Sequence, residues 1–571
     1  MKKTNKTFKR FAAITSASLL AACAMAPVFT SMTSYAAEKE ITFTGETVGT
    51  HNYTAIKVFS GVATSNALVG DPGTAKAKLE NLDWAVDGAD ATAKQTAVAD
   101  FLADLANSTV LVTDGTADFS EDMTAADVAG VLATYTSNGD KAKEFAELVV
   151  ANKTIFTKQF ASNEGKISVE EDGYFVIEET AANQNTDGSV TAYILGVYKA
   201  SAGAEVKVKA DIPTFVKKIK DNNDSTGVTS GWQDSADYDI GDNVPYKLSA
   251  TLPSNYDAYD SYKLIFHDTL GEGLSYNNDA KLYIDGEEFN ISATTTSTCG
   301  EDCIEFIIAD LKQLTKPVEG GTAEADAGEE IYIEFTAELT EDAVIGNPGN
   351  WNDAQLEYSN NPNVGAEGTT SKTPVDSVVA FTYKTVIDKI DGTTGLPLPG
   401  ATFKLQKKYK GETDTWKDVD GEVAESGSTF TFTGLDEGEY RLIETEAPKN
   451  FNPINDMYFT ISAEHVVDIT SIGKKESGIL GEVTGTNNSI TYTNDDGDEV
   501  ESAPITLGNL LDEDENPVSG ALTATVANYS GAELPGTGGI GTTIFYLGGG
   551  AMAAIGGIYL ISKRRMRKSE E

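Results

Sequence analysis

From about residue 211 onward, apolar residues stop recurring at three-to-four spacing and instead alternate along short runs bounded by Gly, Asn, Asp and Pro. Alternation sends successive side chains to opposite faces of an extended strand, so the pattern restricts this part of the chain to β-sandwiches. Residues 37–210 are different. Ile41-Thr42-Phe43-Thr44, residues 53–59 and Tyr174-Phe175-Val176-Ile177 read as strands, whereas residues 92–105 place Val98, Phe101, Leu102 and Leu105 at helical spacing. The expected fold is therefore mainly β, with an α+β domain at 37–210 followed by sandwiches at 211–376 and 377–530. The boundary between the sandwiches is placed in the polar run 360–376, with Asn361-Pro362, Gly365, Gly368 and Thr373-Pro374. A length of 571 residues agrees with several domains.

Charge narrows the function. Asp and Glu number 88 against 43 Lys and Arg, a formal charge of −45, which repels nucleic acid. Apolar residues at 40% and aromatics at 9% suffice for ordinary cores, so the acidity belongs to a solvated surface. With three His and no HExxH, GxSxG, GxxxxGK or CxxC run, hydrolase, nucleotide and zinc chemistry have no motif. The acidic runs 494–501 and 512–515 lack the alternating ligands of a calcium loop and read as solvated loops. No cofactor or metal is expected, and the chain is not expected to be an enzyme.

The two ends read as addresses. Lys2, Lys3, Lys6, Lys9 and Arg10 precede an uncharged stretch to Ala37, the form of a secretory signal over 1–36 cut after Ser34-Tyr35-Ala36. Leu20-Ala21-Ala22-Cys23 resembles a lipidation box, set against a signal-core cysteine that is simply discarded. At the other end, residues 540–562 lack charge for long enough to cross ~30 Å of hydrocarbon, and Lys563, Arg564, Arg565, Arg567 and Lys568 in 563–571 hold the tail in the cytoplasm. Just before this span, Leu534-Pro535-Gly536-Thr537-Gly538 resembles the LPxTG sorting signal of Gram-positive surface proteins. The resemblance implies that a sortase cleaves between Thr537 and Gly538 and passes the Thr537 acyl group to an amine. Losing both ends removes a net +5 and +3 and leaves −53. Cys299 and Cys303 survive processing, and export without nearby His or further Cys favours a disulfide over a metal site.

Period-two phasing also aims polar groups inward. Phe381, Tyr383, Thr385, Ile387 and Lys389 share a face, as do Tyr440, Leu442 and Glu444, and Leu522, Ala524, Val526 and Asn528. Burial strips a Lys of its proton and leaves a Glu holding its own. Lys389 could then attack Asn528 and expel ammonia with Glu444 as proton shuttle, or the three could form a buried ion pair with an amide neighbour. In the middle sandwich, Phe215, Lys217 and Ile219 share a face, as do Leu264, Phe266, Asp268 and Leu270, and Leu356, Tyr358 and Asn360.

Residues 440–451 resemble the E-box (YxLxETxAPxxF) of sortase-assembled Gram-positive major pilins, and residues 389–405 resemble the first strands of their CnaB-type domain. Residues 525–531 resemble its last strand, and segments 213–218, 266–274 and 358–362 resemble the isopeptide-forming middle domain of the same proteins. The resemblance implies tandem Ig-like (CnaA/CnaB-type) sandwiches. It implies a Lys389–Asn528 isopeptide bond catalysed by Glu444, with Asn494 the alternative partner, and a Lys217–Asn360 bond catalysed by Asp268, with Lys218 and Asn361 as the adjacent alternatives. It implies Lys209 as the sortase acceptor, with Lys207 and Lys199 open because no Tyr-Pro precedes it. Lys57 in the first domain has no terminal Asn partner, so no cross-link is expected there.

The expected protein is a major pilin with identical subunits, a pilus-type and a wall-anchoring sortase and peptidoglycan as partners, together with accessory pilins and a host-surface ligand. It would form a fimbrium at the wall. The alternative is a monomeric wall-anchored adhesin that binds host matrix.

Overall fold

The computed structural model describes residues 39–44, 51–68, 77–135, 139–180, 190–207, 211–296, 303–318, 321–363, 368–411, 413–423, 427–469 and 479–531. The expected secretory signal, sorting signal, membrane span and basic tail lie outside these residues. Among the described residues no helix is long and apolar enough to cross a membrane.

In the first part of the chain, the strands Tyr53–Ala63, Gly173–Glu179 and Ile194–Tyr198 form the centre of one sheet. Four helices cover one face, burying Val98, Phe101, Leu102, Leu105, Phe145 and Val149 against Ile56, Val58 and Val176. The opposite face packs Tyr53, Ala55, Phe175 and Ile177 against Ile41, Phe43 and Val206 of a second, smaller sheet. The helical pattern at 92–105 is two helices, Ala91–Ala97 and Ala99–Asn107, broken at Val98 where φ is −99° and ψ 8°. No Gly or Pro marks the break. The turn lets Val98 and Phe101, both wholly buried, reach the same core.

The middle part is a sandwich. Thr214–Ile219, Asn243–Thr251, Glu330–Leu339, Lys281–Ile284 and Glu287–Asn290 form one sheet, and Ser235–Asp237, Asp376–Phe381, Asn350–Ser359, Leu264–Leu270, Cys303–Ile308 and Ala293–Thr296 form the other. Their alternating inner residues, among them Tyr246, Leu248, Phe266, Ile333, Phe335 and Leu356, make the core. The polar run 360–376 does not divide the sandwiches as expected. It carries the hairpin strand Thr370–Lys372, and Asp376–Phe381 then pairs with Asn350 to Ala354 as a full member of the middle sheet. The handover falls at Thr382, one residue before the strand Tyr383–Asp391 of the next sandwich.

In that last sandwich the first strand, Tyr383–Asp391, lies parallel to the last, Pro517–Asn528, with Lys389 opposite Val526 and Asp391 opposite Asn528. The facing sheet carries Thr402–Tyr409, Gly438–Glu446 and Met457–His465. Parallel neighbours that begin and end a domain bring distant sequence positions to one spot on one face.

Candidate isopeptide sites

Lys389 ends an inward row in which Tyr383, Thr385, Ile387 and Lys389 are all at most 1% exposed, while Asp388 between them faces solvent. Asn528 ends the matching row and is wholly buried. Because Asn528 sits two positions beyond Val526, the register partner of Lys389, the two side chains are diagonal neighbours on the core face. Glu444 approaches from the facing sheet, half-buried, and Asn528 Nδ2 donates to its Oε1 at 2.8 Å and its Oε2 at 3.0 Å. The Ile454 N–H donates to Glu444 at 3.1 Å and the Gly392 N–H to the Asn528 carbonyl at 2.8 Å, fixing acid and amide. Among the described residues the Asn528 side-chain oxygen has no partner.

Burial lowers Lys389 to about 8 against the opposing pull of Glu444 and Asp391, so a useful fraction carries a lone pair at neutral pH. Burial raises Glu444 against its bonds from Asn528 and Ile454 and the charge of Lys389. One group is driven toward the free amine and the other toward the protonated acid, the pairing that amide exchange requires. Asn494 is elsewhere. It opens a turn, accepting from the Asp498 N–H at 2.8 Å, at the end of the small hairpin Thr491–Thr493 and Glu499–Glu501.

In the middle sandwich Lys217 and Asp268 are both wholly buried and in direct contact. Burial lowers the lysine and raises the aspartate, each opposed by the charge of the other. The rings of Tyr246 and Phe335 flank the amine at 5.2 and 5.6 Å. Lys218 points out to Asp234 instead. Asn360 does not join this group. Its Nδ2 donates to Ser371 at 2.7 Å, its Oδ1 accepts from Thr369 at 2.7 Å, and its carbonyl accepts from the Val190 N–H, so both ends of this buried amide are already bonded. Asn361 accepts from the Asn363 N–H at 3.0 Å.

The amide beside Asp268, the partner of Lys217, belongs to Asn352, which sequence reasoning missed. Asn352 is wholly buried in the strand Asn350–Ser359, two positions along the register from the Asp268 pair, and it lies close enough to Asp268 to lower its pKa. Neither of its amide atoms closes a well-formed hydrogen bond among the described residues. A buried, unsatisfied amide is costly, at roughly 1–3 kcal/mol, unless it is placed for another use. The signal was present, because Asn352, Ala354, Leu356 and Tyr358 share one phase. The same inward row also holds Asn350 and Asn360, and of the three Asn352 is the one close enough to act on Asp268.

Of the remaining expected residues, Cys303 is buried and disulfide-bonded, while Cys299 lies outside the described residues. Lys209, Leu534, Pro535, Gly536, Thr537 and Gly538 also lie outside them. Lys199 donates to the Thr64 carbonyl at 3.1 Å, and Lys57 is buried with its ammonium on Glu171 at 2.8 Å.

Comparison with known proteins gives the class. Residues 240–362 match the model of Gram-positive pilin backbone subunit 2, Cna-B-like domain, and residues 384–475 match that of the SpaA prealbumin-like fold domain. Two parts of the chain thus match models of Gram-positive pilin domains, and it is built mainly of β-strands. Over 427 residues, 67% of this chain and 75% of the relative, it is 27% identical to the trypsin-resistant surface T6 protein of Streptococcus pyogenes serotype M6. Among solved structures it is similar to the T6 backbone pilin of serotype M6 Streptococcus pyogenes, at 16% identity, covering 86% of this chain and 98% of that one with a TM-score of 0.46. It is also similar to the full-length major pilin SpaD of Corynebacterium diphtheriae, at 15% identity, 86% and 97% coverage and a TM-score of 0.40.

Proposed function

We propose that the chain is the shaft-forming subunit of a covalent cell-surface pilus, stapled within its two sandwiches by Lys389–Asn528 and Lys217–Asn352 amide bonds. The observation that carries this reading is the Lys389–Glu444–Asn528 group, which joins the first and last strands of one sandwich in a buried setting. The neutral Lys389 amine adds to the Asn528 side-chain carbonyl carbon, and Glu444, facing the departing nitrogen, relays a proton to it. One C–N bond forms, another breaks, and ammonia leaves. Asp268 plays the same part for Lys217.

A sortase then cleaves after Thr537 and transfers its acyl group to Lys209 of the next subunit, and the finished polymer is attached to peptidoglycan. The T6 relative carries trypsin resistance in its name, and a chain whose sandwiches are closed by amides is expected to resist protease in the same way. Intact mass of the secreted ectodomain should fall short of the plain sequence by two ammonia molecules, and a mass equal to the plain sequence removes both bonds. Lys209→Ala should abolish the high-molecular-weight ladder of wall-extracted protein. An unchanged ladder moves the acceptor to Lys207 or Lys199, and the absence of any ladder in the wild type favours the monomeric adhesin.

A further inference from the structure

The seam between the middle and last sandwiches buries charge that neither amide bond uses. Lys407, in phase with Leu405 on the strand Thr402–Tyr409, has no exposed side-chain surface. Its ammonium meets Asp239 of the middle sandwich at 2.6 Å, Asp224 of the middle sandwich at 3.3 Å, and Asp436 of its own sandwich. Asp242 belongs to the same group of mutually close carboxylates. Nearby, His465 of the last sandwich accepts or donates at Ser235 Oγ through Nδ1 at 2.7 Å, and its Nε2 faces Asp221 at 3.5 Å and Asp237 at 3.8 Å. Glu437 completes this second group electrostatically, and its N–H donates to Asp237 at 2.7 Å.

Seven carboxylates (Asp221, Asp224, Asp237, Asp239, Asp242, Asp436 and Glu437) therefore confront one ammonium and one imidazole. The other ionisable groups facing them do not restore the balance. Tyr409 and Tyr440 reach Asp239 and the Asp436 carbonyl with neutral hydroxyls, and burial raises them along with Tyr238 and Tyr383. Lys408 is held on Glu439 and Asp414, and Lys218 is held on Asp234.

The two bodies are also hydrogen-bonded across this seam. The Asp436 N–H donates to Asp239 at 3.1 Å, the Glu439 N–H to Ser225 at 2.8 Å and the Asp234 N–H to the Val467 carbonyl at 3.0 Å. On its other flank, Gly346 lies against the backbone of Ser519 and Gly520, where no Cβ fits. Only Thr382 joins the sandwiches covalently.

We propose that this seam is a joint whose stiffness follows pH, with the two sandwiches clamped as one body in mildly acidic surroundings and hinging about Thr382 in alkaline ones. Like charges brought this close cannot all ionise, so closing the seam takes up protons. Burial and the neighbouring acids hold Asp237 up at about 8 and Asp242 at about 6, and burial likewise raises Asp239 and Asp436. His465 is raised by Asp221 and Asp237 although burial opposes it, and Lys407 by Asp436 and Asp239 against the same opposition. Asp237, Asp239, Asp242, Asp436, His465 and Lys407 are each raised above their ordinary values in the seam, and opening it to water would relieve the charge crowding there. The stabilisation they give is fully present below the open-state carboxylate values and is lost as pH rises through the closed-state ones, in the window from about 6 to 8 set by Asp242 and Asp237.

The test is the distance distribution between spin labels at Ser275→Cys and Thr484→Cys, both exposed and on opposite sides of the seam, in the full secreted ectodomain. The distribution is expected to be narrow near about pH 5.5 and at least about twice as broad near about pH 9. The double variant D237N/D242N should stay narrow across the range, and Lys407→Met should be broad throughout. Intact mass tells whether the amide bonds are present in each sample, so this result stands or falls apart from them. Equal widths at both pH values overturn the proposal, and so does an unaltered pH response in D237N/D242N. The asparagine variant keeps the test decisive if Lys407→Met fails to fold.

Discussion

Glu444→Ala should yield a last sandwich that folds yet retains the ammonia its wild-type counterpart loses. The substitution removes the carboxyl hydrogen-bonded to Asn528 and leaves Lys389 and Asn528 side by side without that proton relay. Without the amide, the unfolded chain regains the freedom of a loop of about 140 residues, worth roughly 4 to 5 kcal/mol on the entropic account. For a domain of this size that corresponds to a drop in melting temperature of roughly 10 to 20 °C. Glu444→Gln separates packing from proton transfer, because the amide keeps the shape and the contact with Asn528 but holds no transferable proton. Mass spectrometry should therefore find both variants unlinked at this site, and calorimetry should find their melting temperatures close together. A linked Glu444→Gln protein would show that alignment alone is enough and would remove the catalytic role.

The three candidate residues of the last sandwich were placed on its inner face by sequence because each ends a clean alternating row. Lys389 follows Ile387, Glu444 follows Leu442, and Asn528 follows Val526, so phase alone turned each inward. Other features were hidden for physical reasons. Phase does not say which Asn of a row lies beside Asp268, and the choice between Asn352 and Asn360 depends on where the strand Thr214–Ile219 crosses the opposite sheet. Lys407 obeys the same alternation as Lys389, yet its partners Asp224 and Asp239 come from another domain, and no local pattern announces a contact between domains. The end of the middle sheet was misplaced because Asn361-Pro362 and the glycines after it mark a loop, and a loop of this kind sits inside a sandwich as readily as between two.

Asn352→Ala should abolish the cross-link of the middle sandwich, and Asn360→Ala should leave it intact. The two asparagines stand on the same strand, Asn350–Ser359 and its immediate extension, and differ in surroundings. Asn352 is sealed beside two buried ionisable groups with its amide unsatisfied, whereas Asn360 is already bonded at both ends to Thr369 and Ser371. Removing Asn352 frees a loop of about 135 residues, again roughly 4 to 5 kcal/mol, and leaves Lys217 and Asp268 as a dry pair with no bond to form. A mass deficit of one ammonia in Asn352→Ala and of two in Asn360→Ala is the expected pattern, and the reverse pattern would return the bond to Asn360. The position also matters for load. A bond at Asn352 closes the loop before the strand Asp376–Phe381, so tension entering at the start of the middle sandwich passes through Lys217 and Asn352. From there it runs along that unstapled strand and across Thr382 to Lys389. The stretch between the two staples is then the part of the subunit that gives first under force. Pulling experiments on the wild type should show a single short extension from this stretch, and Asn352→Ala should lengthen it by most of the residues between 218 and 351, which the bond otherwise shields.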